Sequence, residues 1–219
     1  MPLMTSDQKK TCYIVDFDGT VTVTDSLLRV FDEFCIGDWW EVEREMRAGK
    51  ITRTESLSGE VDLMRVDEKT LFEFLKKELK VRVGFGEFVT KAVNDGNKVV
   101  ILSGGFYSFI FNILKNAKVD AGMLEVIAND VVLTGQNTWK FVSSDNPLEP
   151  LCDNCPNCKR AVVEKLNKEG FETVYIGDGE TDFCASVHAD RIFAIDELKE
   201  SLEKKNVDFE KFSDFNDIA

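Results

Sequence analysis

The stretch CYIVDFDGT, residues 12–20, joins a short apolar run to two aspartates that lie two positions apart. Residues 12–15 have the all-apolar pattern of a strand that is buried on both faces of a sheet. Asp16 and Asp18 follow directly, and two carboxylates at the end of a buried strand are unfavourable unless a cation compensates their charge. An ordinary β-turn also contains Asp and Gly at such spacing. The stretch therefore predicts a buried strand that ends in an acidic loop.

Three more apolar runs, at 99–102, 173–176 and 191–195, predict further buried strands. Helical patterns lie between them, and this alternation predicts an α/β fold with a doubly wound parallel sheet. A β-hairpin is expected at 131–142. The C-terminal stretch from Asp208 is polar with spaced phenylalanines, and we expect it to pack loosely on the core.

Residues 22–84 have a different pattern from the rest of the chain. Four helix-like segments follow one another at 26–34, 40–47, 54–64 and 68–79, without a convincing strand. We therefore expect a helical domain at 22–84, inserted into a core domain formed by 1–21 and 85–219. Because it leaves the core just after the acidic loop, it is expected to act as a lid.

Charge and hydropathy limit the possible partners. The chain has 27 basic and 40 acidic side chains and a formal net charge of −13. Nucleic-acid phosphates and anionic membranes repel such a protein, so neither is an expected partner. Residues 1–11 lack a secretion signal and no apolar run is long enough to span a bilayer, so we expect a cytoplasmic protein. We expect either a monomer or a homodimer.

Other residues that suit phosphate chemistry follow the later strands. Ser103 and Gly104 come after the second run, where a hydroxyl and backbone N–H groups at a helix start can bind a phosphate oxygen. Lys159 opens a helical pattern and can supply a cation. Asp178 and Asp182 follow the third run, and carboxylate oxygens at this sheet edge suit Mg²⁺.

These motifs together resemble the haloacid dehalogenase (HAD) superfamily of phosphatases over nearly the whole chain. They occur in the order Asp16-x-Asp18, Ser103, Lys159 and Gly177-Asp178-x₃-Asp182. The resemblance implies a Rossmann-like core with a helical cap, and hydrolysis of a small phosphorylated metabolite by way of an aspartyl phosphate.

The resemblance also implies a role for each motif residue. Asp16 would be the nucleophile and Asp18 the general acid and base. Ser103 and Lys159 would hold the phosphoryl group. Mg²⁺ would be bound by Asp16, the backbone carbonyl of Asp18 and Asp178, with Asp182 supporting the metal from its second shell.

The sequence resembles two groups of phosphatases most. One acts on 2-hydroxy-3-keto-5-methylthiopentenyl-1-phosphate, and the other acts on phosphoethanolamine or phosphocholine and has pyridoxal-phosphate phosphatase relatives. Phosphoserine phosphatases resemble it less, since Glu60 stands where they have a substrate-binding Arg, and Asp25 where they usually have Glu. Asp25 and Glu60 could attract an amine, or Glu60 could simply face solvent.

Cys152, Cys155 and Cys158 form a cluster just before Lys159, and Cys184 could complete a zinc site. Zn²⁺ there would brace the Lys159 loop, whereas free thiols or a disulfide are the alternatives. Two rival functions remain open. One is phosphoryl transfer to an acceptor other than water, as in a mutase, and the other is a non-catalytic, zinc-stabilised binding module.

Overall fold

The computed structural model describes residues 9–144, 148, 151 and 157–218. Within these ranges the strands form one sheet, and their bounds are β1 Thr11–Val15, β2 Lys98–Phe106, β3 Glu125–Leu133, β4 Trp139–Val142, β5 Glu172–Gly177, β6 Arg191–Ala194 and β7 Glu210–Lys211.

The sheet is doubly wound, as the sequence predicts. Its strand order is β4-β3-β2-β1-β5-β6-β7, and every pair is parallel except β3 with β4. The central strand β1 pairs with β2 on one side and β5 on the other. Because parallel strands all end at the same edge, this order brings the loops after β1, β2 and β5 together.

Helices cover the sheet and form the insertion. Their bounds are α1 Ser26–Phe34, α2 Trp39–Arg47, α3 Arg53–Leu63, α4 Glu68–Glu78, α5 Phe85–Asn94, α6 Tyr107–Asn116, α7 Lys159–Lys168, α8 Phe183–Ser186 and α9 Asp196–Lys205. Among the described residues, none of these helices has the length and apolar character that crossing a membrane requires.

Helices α1 to α4 form the predicted helical insertion, which we call the cap. The chain leaves and re-enters the core through two neighbouring segments, where Thr22 and Val81 form an antiparallel bridge and the Arg82 N–H donates to the Val21 carbonyl at 2.7 Å. We call these two segments, 21–22 and 81–82, the neck of the cap. We propose that the domain boundaries lie close to this neck, near the ends of the expected cap domain at 22–84.

The predicted β-hairpin is present and it supports the cap. Residues 130–133 of β3 pair antiparallel with β4. The buried indole of Trp139 donates to the Val66 carbonyl at 2.8 Å, and the Val66 N–H donates to the Asn137 carbonyl at 3.0 Å. The first strand of the hairpin, β3, begins at Glu125, before the predicted start at 131, and its earlier residues pair with β2.

The C-terminal stretch packs firmly, so the expectation of loose packing is wrong. Phe212, Phe215 and Ile218 are buried. The Phe215 ring meets Phe85 edge-on at 4.8 Å between centroids. Burial of each large apolar side chain contributes about 1.5–3 kcal/mol, so the spaced apolar residues hold this polar stretch on the core.

Candidate active site

Asp16 lies at the end of β1, in the centre of the sheet. Its N–H donates to the Ile176 carbonyl of the neighbouring strand at 2.9 Å, and its side chain is buried. The Lys159 ammonium forms an ion pair with Asp16 Oδ1. Burial, followed by the charge of Asp182, raises the pKa of Asp16 well above its ordinary value. An opposing cation is therefore needed to keep this carboxylate ionised.

Lys159, the first residue of α7, lies between two carboxylates. Besides Asp16, it donates to Asp182 Oδ1 at 2.7 Å. Burial alone would lower the pKa of Lys159, but the charges of Asp16 and Asp182 outweigh burial and raise it. The ammonium is therefore fixed in its charged form beside the carboxylate of Asp16.

Asp178, the first residue after β5, completes the acidic cluster. Burial raises its pKa to about 6, although a 2.6 Å hydrogen bond from the Thr20 hydroxyl to its Oδ1 acts in the opposite direction. Gly19 makes the approach possible, because a Cβ at this position would lie 2.1 Å from Asp178 Oδ2. Its φ of +84° also favours glycine.

Asp18 points towards the start of the cap. Its Oδ1 accepts the N–H of Ser26, the first residue of α1, at 2.8 Å. A Cβ on Gly105 would come within 2.7 Å of Asp18 Oδ2, so the glycine gives this carboxyl its room. Burial, followed by the charge of Asp25, raises the pKa of Asp18 to about 7. A carboxyl with this pKa can both donate and accept a proton near neutral pH.

Residues 103–105, which we call the Ser103 loop, lie beside Asp18 and form an irregular part of the backbone near the end of β2. Strand β2 extends to Phe106, beyond the predicted end at 102, and its register with β3 shifts between Leu102 and Phe106. The buried Ser103 Oγ accepts the Gly105 N–H at 2.9 Å, which leaves the hydroxyl hydrogen able to donate. Asn129 Nδ2 donates to the Gly104 carbonyl at 2.8 Å and supports the loop.

The acidic cluster fits a divalent cation. Asp16, Asp178 and Asp182 each offer an oxygen within 4.8 Å of the others. Burial and mutual repulsion raise the pKa values of Asp16 and Asp178, which a bound cation would counteract. Both oxygens of Asp182 already accept hydrogen bonds, two from backbone N–H groups, so this residue suits the supporting role better than direct ligation.

In the cap, the interpretation that Glu60 faces solvent is wrong. Its side chain is buried at 2% exposure and accepts the Ser56 hydroxyl at 2.9 Å, and burial raises its pKa to about 7. Asp25 caps α1 by accepting the Leu28 N–H at 2.9 Å, and burial raises its pKa too. Asp25 therefore has a structural role as the N-cap of α1, which its place directly before the predicted helix at 26–34 could have indicated.

Two charged residues that the sequence analysis missed accompany them. Glu43 is buried on α2 and pairs with Arg53 of α3 at 3.3 Å. The charge of Glu43 acts to raise the pKa values of Asp25 and Glu60, whereas Arg53 acts to lower both. Glu43 also pairs with the more exposed Arg47 at 2.8 Å. The cap thus gathers three carboxylates and two guanidinium groups, and the charge of Asp25 acts on the pKa of Asp18 as well.

The cysteine prediction lies partly outside the described residues, which exclude Cys152 and Cys155. Cys158 is buried and its Sγ accepts the Leu151 N–H at 3.4 Å, whereas Cys184 is exposed. In the described ranges, the acidic cluster is the one group of three or more side chains placed to hold a metal ion. Nothing there supports zinc.

Several supporting residues left little trace in the sequence. Thr20 could have been noticed, because it is a hydroxyl residue in the acidic loop. Asn129 and Tyr175 lie in predicted or actual strands and look like ordinary sheet residues. Arg82 donates to the backbone carbonyls of Gly19 and Thr20. Because every residue has a backbone carbonyl, the side chains at 19 and 20 give no sign that an arginine binds there.

Comparisons with known proteins agree with this geometry. A family model for haloacid dehalogenase-like hydrolases matches residues 10–190. A 2-hydroxy-3-keto-5-methylthiopentenyl-1-phosphate phosphatase from Bacillus thuringiensis (strain Al Hakam) is 27% identical over 209 residues, covering 93% of this chain and 91% of the relative. One with the same name from Bacillus pumilus (strain SAFR-032) is 26% identical over 215 residues, covering 96% and 90%.

Solved structures agree on the fold. A substrate-bound phosphoserine phosphatase has a TM-score of 0.69 at 21% identity, with 97% of this chain and 98% of that chain covered. A phosphoserine phosphatase from T. onnurineus has a TM-score of 0.62 at 20% identity, with coverage of 97% and 94%. Family and relatives agree with the phosphoric monoester hydrolase expected from the motifs, and the chain belongs to the haloacid dehalogenase-like hydrolases.

Proposed function

We propose that this protein is a Mg²⁺-dependent phosphatase that hydrolyses a small phosphomonoester through a phosphorylated Asp16. The observation that carries the proposal is the buried Asp16 carboxylate, paired with the Lys159 ammonium and close to Asp178. A buried carboxylate with one oxygen held by a cation is oriented for attack on phosphorus.

The reaction divides into two steps. Asp16 attacks phosphorus while the bond to the leaving alcohol oxygen breaks, and protonated Asp18 donates its proton to that oxygen. Water then attacks the phosphoaspartate, ionised Asp18 accepts its proton, and inorganic phosphate leaves with Asp16 restored. Lys159 and the Ser103 loop bind the phosphoryl oxygens. Mg²⁺, held by Asp16, the Asp18 carbonyl and Asp178, would supply positive charge to the same oxygens.

Two observations bear on the substrate. The names of the curated Bacillus relatives support 2-hydroxy-3-keto-5-methylthiopentenyl-1-phosphate. The cap supports phosphoethanolamine or phosphocholine, because its three carboxylates, on Asp25, Glu43 and Glu60, outnumber the guanidinium groups of Arg47 and Arg53 and would attract a cationic group. The same excess of carboxylates disfavours phosphoserine. Pyridoxal phosphate remains a candidate from the resemblance described above.

The experiment that tests the function compares wild-type protein with Asp16→Asn. Wild type should release inorganic phosphate from p-nitrophenyl phosphate with Mg²⁺ and lose this activity in EDTA. Asp16→Asn should lower kcat by at least about a thousandfold without unfolding the protein. Normal turnover by Asp16→Asn would show that the nucleophile is assigned wrongly, and full activity in EDTA would rule out the metal.

A panel of phosphorylated metabolites then separates the remaining functions. It should contain the methylthiopentenyl phosphate, phosphoethanolamine, phosphocholine, pyridoxal phosphate and phosphoserine. Formation of an isomer without free phosphate would indicate a mutase. Inactivity on every phosphoester would favour the non-catalytic module. The physiological substrate should have the highest kcat/KM of the panel.

A further inference from the structure

Tyr175 lies in β5 and carries its hydroxyl into the acidic cluster. The residue is fully buried, and its hydroxyl donates to Asp182 Oδ1 at 2.7 Å. Burial raises the pKa of Tyr175 well above its ordinary value, so the hydroxyl remains a donor. The packing is close, since a Cβ on Gly177 would lie 3.0 Å from Tyr175 Cε1 and 2.6 Å from Asp182 Oδ2.

The two oxygens of Asp182 have different partners. Oδ2 accepts the N–H groups of Asp178 at 3.2 Å and Gly179 at 3.1 Å, which fix it to the backbone. Oδ1 accepts the Tyr175 hydroxyl and the Lys159 ammonium, both at 2.7 Å. Tyr175 and Lys159 therefore share a single carboxylate oxygen.

This sharing affects Lys159. An ammonium has three N–H groups, and in the described part of the chain Asp16 and Asp182 accept two of them, which leaves one for a phosphoryl oxygen. Without the Tyr175 hydroxyl, all the negative charge on Oδ1 would act on Lys159 and draw it towards Asp182. The ammonium would then bind a phosphoryl group at Asp16 less well.

We propose that Tyr175 is a positioning residue that acts through Asp182 to keep the Lys159 ammonium between Asp182 and Asp16, where it can bind the phosphoryl group. The inference rests on the proposed function and adds a residue to that site. A purely structural reading is that Tyr175 fills space in the apolar cluster of Cys12, Ile14 and Leu166. The two readings predict different effects from removal of the hydroxyl alone.

The central experiment is Tyr175→Phe, which retains the ring. The quantities to measure are kcat/KM for p-nitrophenyl phosphate with Mg²⁺, and the Kd of inorganic phosphate by calorimetry with and without Mg²⁺. The variant should lose about tenfold in kcat/KM and bind phosphate more weakly by a similar factor, as expected for a lost hydrogen bond to a charged group. Unchanged values of both quantities would overturn the proposal.

Two controls separate positioning from packing. Tyr13→Phe removes a hydroxyl from the neighbouring strand β1 and should leave both quantities unchanged. Leu166→Val trims the same apolar cluster and should lower the thermal unfolding midpoint without weakening phosphate binding. If Leu166→Val weakens phosphate binding as much as Tyr175→Phe does, the role is structural and the proposal fails.

A double-mutant cycle tests whether Tyr175 acts through Asp182. In an Asp182→Asn background, Tyr175→Phe should change phosphate affinity less than twofold, because the shared charge is already gone. If Tyr175→Phe weakened phosphate binding as much in the Asp182→Asn background as in wild type, Tyr175 would not act through Asp182, and the proposal would fail. If wild type bound phosphate but hydrolysed no phosphoester, the phosphatase function would fail, and phosphate affinity would still decide the role of Tyr175.

Discussion

Thr20 and Asp178, 158 residues apart in sequence, are joined by a 2.6 Å hydrogen bond from the threonine hydroxyl to Asp178 Oδ1. The bond connects the loop after β1 to the residue that follows β5. It also favours the ionised form of Asp178, whose pKa burial raises to about 6. Thr20 therefore both orients the carboxylate expected to bind Mg²⁺ and keeps it charged.

Thr20→Val should weaken metal activation. The variant keeps the shape of the side chain but lacks the donor, so we expect the Mg²⁺ concentration for half-maximal activity to rise about tenfold. The kcat at saturating Mg²⁺ should change much less. Thr20→Ser, which retains the hydroxyl, is the matched control and should remain close to wild type. Equal metal requirements in wild type and Thr20→Val would contradict this role.

Gly19→Ala should damage the same site by a different route. The new Cβ would lie 2.1 Å from Asp178 Oδ2, and the backbone would retain an unfavourable φ of +84°. We expect a loss of stability beyond the ~1–2 kcal/mol of the backbone term, and at least about a hundredfold loss of kcat/KM.

Gly37→Ala separates these two effects. Gly37 has nearly the same φ, +87°, but a Cβ there meets nothing within 4 Å. The Gly37→Ala variant should lose only the stability that the unfavourable φ costs, measured by chemical denaturation, and should keep its activity. Similar losses in both variants would show that the contact with Asp178 is unimportant.

The sequence predicted the gathering of Asp16, Ser103 and Asp178 because topology alone brings them together. Short apolar runs identify buried parallel strands, and such strands end at one edge of the sheet. The cap helices were also predictable, since α1, α2 and α4 each have a periodic apolar pattern, although α3 has almost none. Helix α1, for instance, has the predicted bounds of 26–34.

What the sequence did not predict depends on contacts between distant residues. Nothing local indicates that Glu60 is buried, because a helical Glu is exposed in most proteins. Tyr175 has the pattern of a core strand residue, and its hydroxyl gains a meaning only from the position of Asp182. The irregular end of β2 was missed because backbone pairing, rather than side-chain pattern, carries the strand to Phe106.

Arg82 should stabilise the acidic loop from the neck of the cap. Its guanidinium donates to the carbonyls of Gly19 at 2.6 Å, Thr20 at 2.9 Å and Ser213 at 3.2 Å. A lysine cannot reproduce this planar fork, so Arg82→Lys should cost about 1–3 kcal/mol of stability and lower kcat/KM severalfold.

The surface residue Arg191 offers a matched comparison for Arg82. It makes a similar forked contact, through Nε and a terminal nitrogen, to the exposed carboxylate of Glu210. Arg191→Lys should cost less than about 1 kcal/mol and leave kcat/KM unchanged, because exposed ion pairs contribute little. If Arg82→Lys changed stability and kcat/KM as little as Arg191→Lys does, Arg82 would not stabilise the acidic loop as proposed.

Glu60 should make the stability of the protein depend on pH. Burial raises its pKa from an ordinary 4.5 to about 7, so between these values the folded chain holds a proton that the unfolded chain has released. The free energy of unfolding therefore falls as the pH rises through this window. Glu60→Gln, which can still accept the Ser56 hydroxyl, should be about 1–3 kcal/mol more stable than wild type at pH 8, and nearly equal to it at pH 4.5.

Urea denaturation at both pH values measures this difference. Glu33→Gln on the exposed face of α1 is the control, and it should show no comparable gain at pH 8. If Glu60→Gln differed from wild type by the same amount at both pH values, then ionisation of Glu60 would not be the cause. A gain confined to high pH would instead mean that the cap retains an unfavourable buried charge, as expected if that charge serves to attract a cationic substrate rather than to stabilise the fold.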